Sequence, residues 1–315
     1  MSEPHLILGL GELLWDVLPE GPRLGGAPAN FTVMAGRLGN HAVILSRVGR
    51  DQLGRQALTE LEELDGMPAD ASSVQTDGIH DTGRVTVELD GGQPSYTIHD
   101  PVAWDFLELS DEWVQLAERA DAVCFGTLAQ RHERSRETIQ TLVGLTREDC
   151  VRVFDVNLRA PFYSGEVIQE SLELASVVKM NDAEMPLVLG LMGLDSQADS
   201  EASSGLVPLR AGALCLLREF PTLKMVAVTR GGEGSLLVTR EAWDQHPGVA
   251  TNVADTIGAG DAFTAAMTHY LLRGASLSTL NEAGNRWGSW VASQAGAMPV
   301  LPATLKARIE AAIEG

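Results

Sequence analysis

The sequence predicts an α/β fold with a mostly parallel central sheet. Short apolar runs rich in β-branched residues alternate with longer segments of helical periodicity, as in a parallel sheet with helices on both faces. With 315 residues, 44% of them hydrophobic, the chain is long enough for a sizeable core. The predicted strands are residues 6–8, 42–48, 122–125, 151–154, 177–180 and 225–228.

Residues 84–98 interrupt this alternation. Apolar and polar residues alternate from Arg84 to Leu89, Gly91 and Gly92 supply a turn, and residues 95–98 return, which is typical of an antiparallel hairpin. A hairpin on the surface of an α/β body indicates a lid. Residues 195–205 are rich in Ser and Asp without periodicity, and they are predicted to form a surface loop.

Residues 255–263 read Asp-Thr-Ile-Gly-Ala-Gly-Asp-Ala-Phe and are the most informative stretch of the chain. The free N–H groups and the positive dipole end at the start of a helix favour a phosphate or an oxyanion, and the glycines allow it to approach. Asp261 is then either an N-cap or a general base for a hydroxyl that attacks a phosphoryl group. The predicted helix has an apolar stripe of Phe263, Ala266, Met267, Tyr270 and Leu271.

Polar residues follow the ends of four predicted strands. They begin at Asp155, Asn181 and Thr229 and, after a short strand predicted near Val253, at Asp255. Taken singly, each group is typical of a turn or a cap. Because ligands gather at the carboxyl ends of strands in open parallel sheets, the four together indicate a binding site at that edge.

These motifs resemble those of the PfkB, or ribokinase-like, carbohydrate kinases. Residues 255–263 are similar to the C-terminal signature of that family, and residues 24–30, Leu-Gly-Gly-Ala-Pro-Ala-Asn, are similar to its Gly-Gly-x-x-x-Asn sugar-binding entry. Gly11-Glu12, Asp16 and residues 46–54 stand at matching distances. The resemblance implies one ribokinase-like, three-layer α/β domain over residues 1–315, with a small lid of strands inserted at about 12–24 and 82–100.

For the sugar and the reaction, the resemblance implies that Asp261 is the catalytic base. Asp is an acceptor only and Asn both donates and accepts, so Asp16 and Asn30 suit a polyol. Residues 155–159, Asp-Val-Asn-Leu-Arg, are similar to the Asp-x-Asn-x-Arg of fructokinase-like members, although Arg159 also suits a structural salt bridge. The implied anion hole is Gly258, Ala259 and Gly260, and the implied sugar site is Asp16, Gly25, Gly26, Asn30, Asn157, Arg159 and Asp261.

For ATP, residues 229–234 are similar to a Thr-x-Gly-x-x-Gly turn that contacts phosphates, but they are also typical of a hairpin turn. Residues 179–184 match Lys-x-Asn-x-x-Glu, in which Asn181 and Glu184 would orient the water shell of Mg²⁺. Asn181 as N-cap with Glu184 at N3 fits equally well. The implied ATP contacts are Asn181, Thr229, Gly231, Gly234, Gly258, Gly260 and Asn285, with Asn285 beside the adenine. Backbone carbonyls of Asp255, Ile257, Val291, Gln294 and Gly296 would bind a monovalent cation such as K⁺.

Composition restricts the partners. A formal net charge of −20 would repel nucleic acid and anionic membranes, so neither is expected as a partner. Three widely spaced cysteines in apolar runs are typical of buried thiols, and no apolar stretch is long enough to span a membrane. We expect a cytoplasmic protein that binds a monosaccharide and ATP, and the family resemblance adds a homodimer clasped through the lid.

Other functions fit the sequence less well. Leu14 replaces the third glycine of a dinucleotide-binding turn, and the motifs of P-loop kinases and zinc hydrolases do not occur. A non-catalytic sugar sensor on the same fold would be expected to lose the base, whereas Asp261 is present. We therefore predict phosphoryl transfer from ATP to a primary hydroxyl of a monosaccharide, with fructose as first choice. Ribokinase, 2-keto-3-deoxygluconate kinase and nucleoside kinase share these motifs, but only 5% aromatic residues argue against a nucleoside pocket.

Overall fold

The computed structural model describes residues 4–18, 21–64, 69–90, 93–194 and 205–314. Its strands are β1 (Leu6–Leu10), β2 (Leu14–Leu18), β3 (Gly21–Gly25), β4 (His41–Leu45), β5 (Arg47–Gly49), β6 (Gln75–Asp77), β7 (Gly83–Asp90), β8 (Gln93–Ile98), β9 (Ala122–Gly126), β10 (Val151–Asp155), β11 (Val177–Asn181), β12 (Met225–Thr229), β13 (Ser235–Val238) and β14 (Trp243–His246). Its α-helices are α1 (Ala27–Arg37), α2 (Gln52–Glu63), α3 (Asp111–Arg119), α4 (Glu133–Gly144), α5 (Gly165–Leu174), α6 (Glu184–Leu191), α7 (Leu206–Glu219), α8 (Ala259–Leu271), α9 (Leu277–Ala292) and α10 (Ala303–Glu314).

An eight-stranded sheet forms the centre of the molecule, in the order β4-β1-β9-β10-β11-β12-β13-β14. The strands from β4 to β12 are parallel, and β13 and β14 add to them antiparallel. Asp155 of β10 pairs in register with Lys179 of β11, and Asn181 of β11 pairs with Thr229 of β12. The carboxyl ends of three neighbouring strands therefore bring the polar segments of the sequence to one edge of the sheet.

Helices cover both faces of this sheet. Apolar residues of the strands alternate between two cores: Leu8 and Leu10 pack with α3 to α7 on one face, and Ile7 packs with α1, α8, α9 and α10 on the other. Helix α8 lies between α1 and α9 and is buried from Ala262 to Tyr270, which is more of its surface than the predicted stripe. This burial fixes the start of α8 against the sheet edge.

A second sheet has the order β3-β2-β7-β8 and forms from the two segments that the sequence assigned to a lid. Strand β2 pairs antiparallel with β3, opposing Asp16 to Arg23, and parallel with β7. Strands β7 and β8 pair antiparallel, in line with the alternating pattern. The predicted turn at Gly91 and Gly92 and most of the predicted loop, residues 195–204, lie outside the described residues.

Two strand predictions were wrong. Residues 42–48 do not form one strand, because the chain leaves the central sheet at Ser46 and β5 pairs instead with β6 in a separate two-stranded sheet. No strand forms near Val253, which is 62% exposed. There the N–H groups of Ala254 and Asp255 donate to the carbonyl of Ala292 at the end of α9, so tertiary contacts hold the segment as a loop.

The three cysteines, Cys124, Cys150 and Cys215, are buried free thiols, in line with the prediction. Within the described ranges, no helix combines the length and the apolar character that crossing a bilayer requires.

Candidate active site

The glycine-rich turn at residues 258–260 opens helix α8. Gly258 is the N-cap and has a left-handed conformation with φ of 78°. A Cβ atom there would lie 2.6 Å from the Cβ of Ala297, so only glycine fits. The N-cap interpretation of Asp261 was wrong, because the helix begins two residues before it. Its Oδ2 instead accepts a hydrogen bond of 2.7 Å from Asn30 Nδ2.

Only part of the predicted anion hole has free N–H groups. The Ala259 N–H donates to the carbonyl of Thr256 at 3.3 Å, whereas those of Gly258 and Gly260 have no backbone acceptor among the described residues. The anion hole of Gly258, Ala259 and Gly260 stays a prediction, in which the N–H groups of Gly258 and Gly260 are the two available to a ligand. Ala259 differs from the two glycines because its N–H bonds within the turn, to Thr256.

The electrostatic surroundings of Asp261 suit a base that acts near neutral pH. Burial raises the pKa of Asp261 to about 6, and the negative charge of Asp155 adds to this shift. The positive charges of Lys179 and Arg159 act to lower this pKa, and so does the hydrogen bond from Asn30. A carboxylate with a pKa in this range accepts a proton more readily than an exposed aspartate.

A buried ion pair lies directly beneath the turn. Lys179 Nζ is 3.0 Å from Asp155 Oδ1, and Asp155 Oδ2 accepts from the hydroxyl of Thr264 in α8 at 3.0 Å. Burial acts to lower the pKa of Lys179, but the carboxylates of Asp155, Asp261 and Glu184 outweigh it and the pKa is raised. A Cβ on residue 260 would lie 3.0 Å from Nζ, so Gly260 leaves room for the ammonium group. This pairing of Asp155 with Lys179 was not predicted from the sequence.

The predicted sugar side is built around the start of helix α1. Gly26 is the N-cap with φ of 110° and offers no side chain, and the Ala27 N–H donates to Glu12 Oε1 at 3.2 Å. The first turn of α1 directs Asn30, which is 5% exposed, toward Asp261. Burial raises the pKa of Glu12 to about 7, and Asp261 contributes to the shift.

Asp16 reaches the same region from β2 of the second sheet. Its Oδ2 lies 3.0 Å from the position that a Cβ of residue 25 would take, so glycine at 25 leaves space beside the carboxylate. Burial raises the pKa of Asp16, although the charge of Arg159 opposes the shift.

The segment after β10 contributes Asn157 and Arg159. Asn157 has a positive φ of 40°, which turns the chain sharply at the end of the strand. The described residues include no ion-pair partner for Arg159, so the alternative of a structural salt bridge has no support. Its charge acts instead on Glu12, Asp16 and Asp261.

Asn181 and Glu184 form a reciprocal cap over the turn before α6. The predicted positions were wrong, because the helix begins at Glu184 with Ala183 as its N-cap, but the predicted pair of hydrogen bonds is present. Asn181 Oδ1 accepts from the Glu184 N–H and Glu184 Oε2 accepts from the Asn181 N–H, both at 2.8 Å. Glu184 Oε1 accepts from the Leu158 N–H at 2.8 Å, which joins this cap to the segment after β10. Each carboxylate oxygen keeps a further lone pair for a water molecule.

The Thr229 turn connects β12 to β13 as an antiparallel hairpin. Gly231, Gly232 and Glu233 are exposed in a short 3₁₀ turn, and Thr229 Oγ1 lies 3.5 Å from the carbonyl of Met180. The hairpin interpretation is therefore correct as geometry. It leaves the exposed backbone accessible to a phosphate.

Asn285 does not lie free beside a nucleotide pocket. Its Nδ2 donates to Ser235 Oγ at 2.6 Å and to the carbonyl of Asn281 at 2.8 Å, within a buried polar cluster between α9 and β13. This nitrogen is bonded within the protein and the residue is 7% exposed, and the adenine contact stays a prediction.

The residues predicted to bind a monovalent cation are brought together. Asp255 Oδ2 accepts from the Gly296 N–H at 3.2 Å, and its Oδ1 accepts from the Ile257 N–H at 3.0 Å. Val291 and Gln294 lie at the end of α9, where the Gln294 N–H donates to the carbonyl of Val291 at 2.9 Å. Arg23 of β3 also pairs with Asp255 Oδ2 at 3.2 Å. Across the described ranges, no group of three or more His, Cys, Asp or Glu side chains is arranged to hold a metal ion.

Comparison with known proteins identifies the family. A model described as "pfkB family carbohydrate kinase" matches residues 21–304. The chain belongs to the PfkB family of carbohydrate kinases. It is 31% identical over 327 residues to a fructokinase of Escherichia coli, covering 93% of this chain and 95% of the relative.

Solved structures of PfkB kinases share the fold. A sugar kinase of Pyrococcus horikoshii in complex with ATP has a TM-score of 0.76 at 29% identity and covers 93% of this chain and 94% of its own. A fructokinase of Xylella fastidiosa with bound ATP has a TM-score of 0.81 at 21% identity, covering 98% and 99%. The fold of this PfkB kinase is thus the ribokinase-like α/β fold that the sequence predicted.

Proposed function

We propose that this sugar kinase transfers the γ-phosphoryl group of ATP to a primary hydroxyl of a monosaccharide, with fructose preferred. The observation that carries the proposal is Asp261, which is held by Asn30 at 2.7 Å beside the glycine turn at the start of α8. The choice of fructose is supported by the Asp-x-Asn-x-Arg motif of residues 155–159 and by the similarity to a bacterial fructokinase over most of both chains.

In this proposal Asp261 takes the proton of the attacking hydroxyl. The hydrogen bond from Asn30 orients its carboxylate, and its raised pKa lets it accept a proton near neutral pH. In the same proposal the N–H groups of Gly258 and Gly260 donate to the oxygen on which negative charge develops, and the helix dipole adds to them. Lys179, held by Asp155 beneath Gly260, adds a positive charge at this position in a protein with a net charge of −20.

The residues fit a hydrated Mg²⁺ that arrives with ATP. Asn181 Oδ1 and Glu184 Oε2 already accept hydrogen bonds in the cap. The remaining lone pairs of Glu184 can accept from metal-bound water, which Mg²⁺ retains. When bound, Mg²⁺ supplies charge neutralisation on the phosphates. The Gly296 N–H donates to Asp255 Oδ2, so the segments that would supply carbonyls to K⁺ are in contact, and we include this ion in the proposal.

The second sheet acts as the lid in this proposal. It carries Asp16 to the sugar and touches the signature segment through Arg23 and Asp255. A lid closed over the sugar excludes water that would otherwise hydrolyse ATP. A dimer clasped through this sheet stays a prediction, which light scattering of the purified protein tests.

The test is a coupled ADP-release assay over fructose, ribose, 2-keto-3-deoxygluconate, glucose and adenosine. Fructose is expected to give the highest kcat/KM, because a site that hydrogen-bonds hydroxyl groups discriminates strongly between their arrangements. A tenfold preference for ribose or 2-keto-3-deoxygluconate would contradict fructose and leave a sugar kinase. Failure of every sugar to release ADP above the rate of ATP alone would contradict the proposal as a whole.

A further inference from the structure

Glu12 presents a buried oxygen whose role the mechanism leaves unexplained. The residue follows β1 and is 3% exposed. Its Oε1 accepts from the Ala27 N–H, whereas its Oε2 is buried and has no hydrogen-bond partner among the described residues. Burying a carboxylate oxygen without a hydrogen-bond donor costs free energy. Such an oxygen in a native protein therefore indicates a donor from a ligand or another group.

A structural role explains only one of the two oxygens. Gly26 is the N-cap of α1 without a side chain, and a Cβ there would lie 2.3 Å from the carbonyl oxygen of Glu12. A side-chain cap at residue 26 is therefore excluded, and Glu12 Oε1 replaces it from the neighbouring segment. A glutamine would cap the helix as well, so capping gives no reason for a second carboxylate oxygen.

The surroundings of Glu12 belong to the sugar side of the cleft. Glu12 lines a narrow cavity together with Asp155 and Asn157 at the end of β10. Its charge interacts with those of Asp261 and Arg159. The Nδ2 group of Asn30 donates to Asp261, while its Oδ1 is buried and has no hydrogen-bond partner within the described ranges. Two unsatisfied acceptors thus lie in the region of the base.

We propose that Glu12 Oε2 accepts a hydrogen bond from a hydroxyl group of the bound sugar, and that this contact selects polyhydroxylated sugars over deoxy analogues. The inference rests on the proposed sugar-kinase function. Glu12 is then a specificity-determining residue, since it touches a hydroxyl other than the one that is phosphorylated. A carboxylate accepts from a hydroxyl without competing as a donor, which suits a sugar better than an amide would.

The experiment compares wild type with Glu12→Gln, using the sugar that the ADP-release screen selects. The substitution keeps the size of the side chain and the cap on Ala27 but replaces one acceptor by an NH₂ donor. We expect KM for the sugar to rise at least about tenfold, which is 1.4 kcal/mol at 25 °C. KM for ATP should change less than about twofold, because residues 229–234 and 181–184 are untouched. Without ligand, the melting temperature should stay level or rise, since an unsatisfied buried charge is removed.

A matched control removes a helix cap far from the cleft. Ser110→Ala deletes the hydroxyl that accepts from the Trp113 N–H at 3.2 Å at the start of α3. It should lower the melting temperature without changing KM for the sugar. A series of monodeoxy sugars then tests for the contact itself: wild type should reject one analogue strongly, and Glu12→Gln should have lost most of that discrimination.

The outcomes separate this inference from the proposed function. An active wild type with an unchanged sugar KM in Glu12→Gln overturns the inference and leaves the kinase proposal intact. Equal losses for sugar and ATP, or a fall in melting temperature that accounts for the loss of activity, also overturn it, because they show a structural role alone. If the loss caused by Glu12→Gln and the loss caused by each deoxy analogue simply add in free energy, then Glu12 contacts none of these hydroxyl groups. Inactivity of wild type on all sugars contradicts the proposed function itself.

Discussion

The proposed sugar side and the proposed nucleotide side of the site are built from different kinds of groups. On the sugar side, Glu12 Oε2 and Asn30 Oδ1 are buried acceptors that have no hydrogen-bond partner in the described part of the chain. On the nucleotide side, Asn181 and Glu184 bond to each other, and the glycines after Thr229 expose their backbone. The sugar side is thus unsatisfied without a ligand, whereas the cap on the nucleotide side is satisfied by the protein alone.

This difference has a consequence for stability. The pKa of Glu12 is raised to about 7 and that of Asp261 to about 6, so both carboxyls hold protons more tightly in the folded protein than in the unfolded chain. Between about pH 4 and pH 7 these two carboxyls bind more protons in the folded state, so their contribution to the free energy of unfolding falls as pH rises through this window. Burial lowers the pKa of His269 to about 3, and this histidine opposes their contribution below about pH 6.5. These two carboxyls therefore reduce stability at neutral pH in the region proposed to bind the sugar.

The largest effect is expected for the base. Asp261→Asn keeps the size of the side chain and an acceptor for Asn30, but an amide cannot take the proton of the sugar. We expect kcat at saturating substrates to fall by roughly 10²- to 10⁴-fold, the usual contribution of general acid–base catalysis. A melting curve serves as the control for folding. A folded variant that keeps more than about a tenth of wild-type kcat would remove the base from the mechanism.

Asp16→Ala should weaken binding of the sugar and leave the affinity for ATP unchanged. The loss of hydrogen bonds to a charged acceptor costs about 1.5–3 kcal/mol, which corresponds to roughly 10- to 150-fold in sugar affinity. Titration calorimetry with each ligand measures the two affinities separately. Equal losses of sugar and ATP would contradict the division of the cleft into two sides.

The dependence of activity on pH should follow Asp261. Because the base must be deprotonated, kcat at saturating substrates is expected to fall about tenfold per pH unit below roughly pH 6 and to level off above it. The wild-type kcat/KM for the sugar should also carry the ionisation of Glu12 near pH 7. The residual activity of Asp261→Asn should lack this acid limb, whereas Glu12→Gln should retain it. A wild-type profile that stays flat down to pH 5 would be incompatible with a base whose pKa is raised by burial.

The smallest effect is expected on the nucleotide side. Thr229→Val removes one hydroxyl from a turn that otherwise offers backbone N–H groups, so KM for ATP should rise only about 2- to 10-fold, as for one neutral hydrogen bond. KM for the sugar should not change, and Thr229→Ser should restore the wild-type value. A larger rise in KM for the sugar than in KM for ATP would contradict the assignment of Thr229 to the nucleotide side.

The sequence by itself determined the features that depend on local backbone constraints. The glycine turn at 258–260 with the helix after it, the alternating hairpin and the reciprocal cap of Asn181 and Glu184 all follow from short-range patterns. Such patterns work because a few residues limit the backbone or satisfy its N–H groups regardless of the rest of the chain. The family resemblance then placed these elements in the ribokinase-like fold.

Only the tertiary structure decided which side chains meet. Asp155 and Lys179 are 24 residues apart and pair because β10 and β11 are neighbours in register, and a lysine ending an apolar strand was the available signal. The bond of Asn285 could not be predicted locally because its partner Ser235 is 50 residues away, and the strand expected near Val253 was replaced by a loop that bonds to Ala292. The unpaired oxygen of Glu12 depends on helix α1 reaching across the end of β1, since hydrogen-bond satisfaction inside a protein is set by packing and not by local sequence.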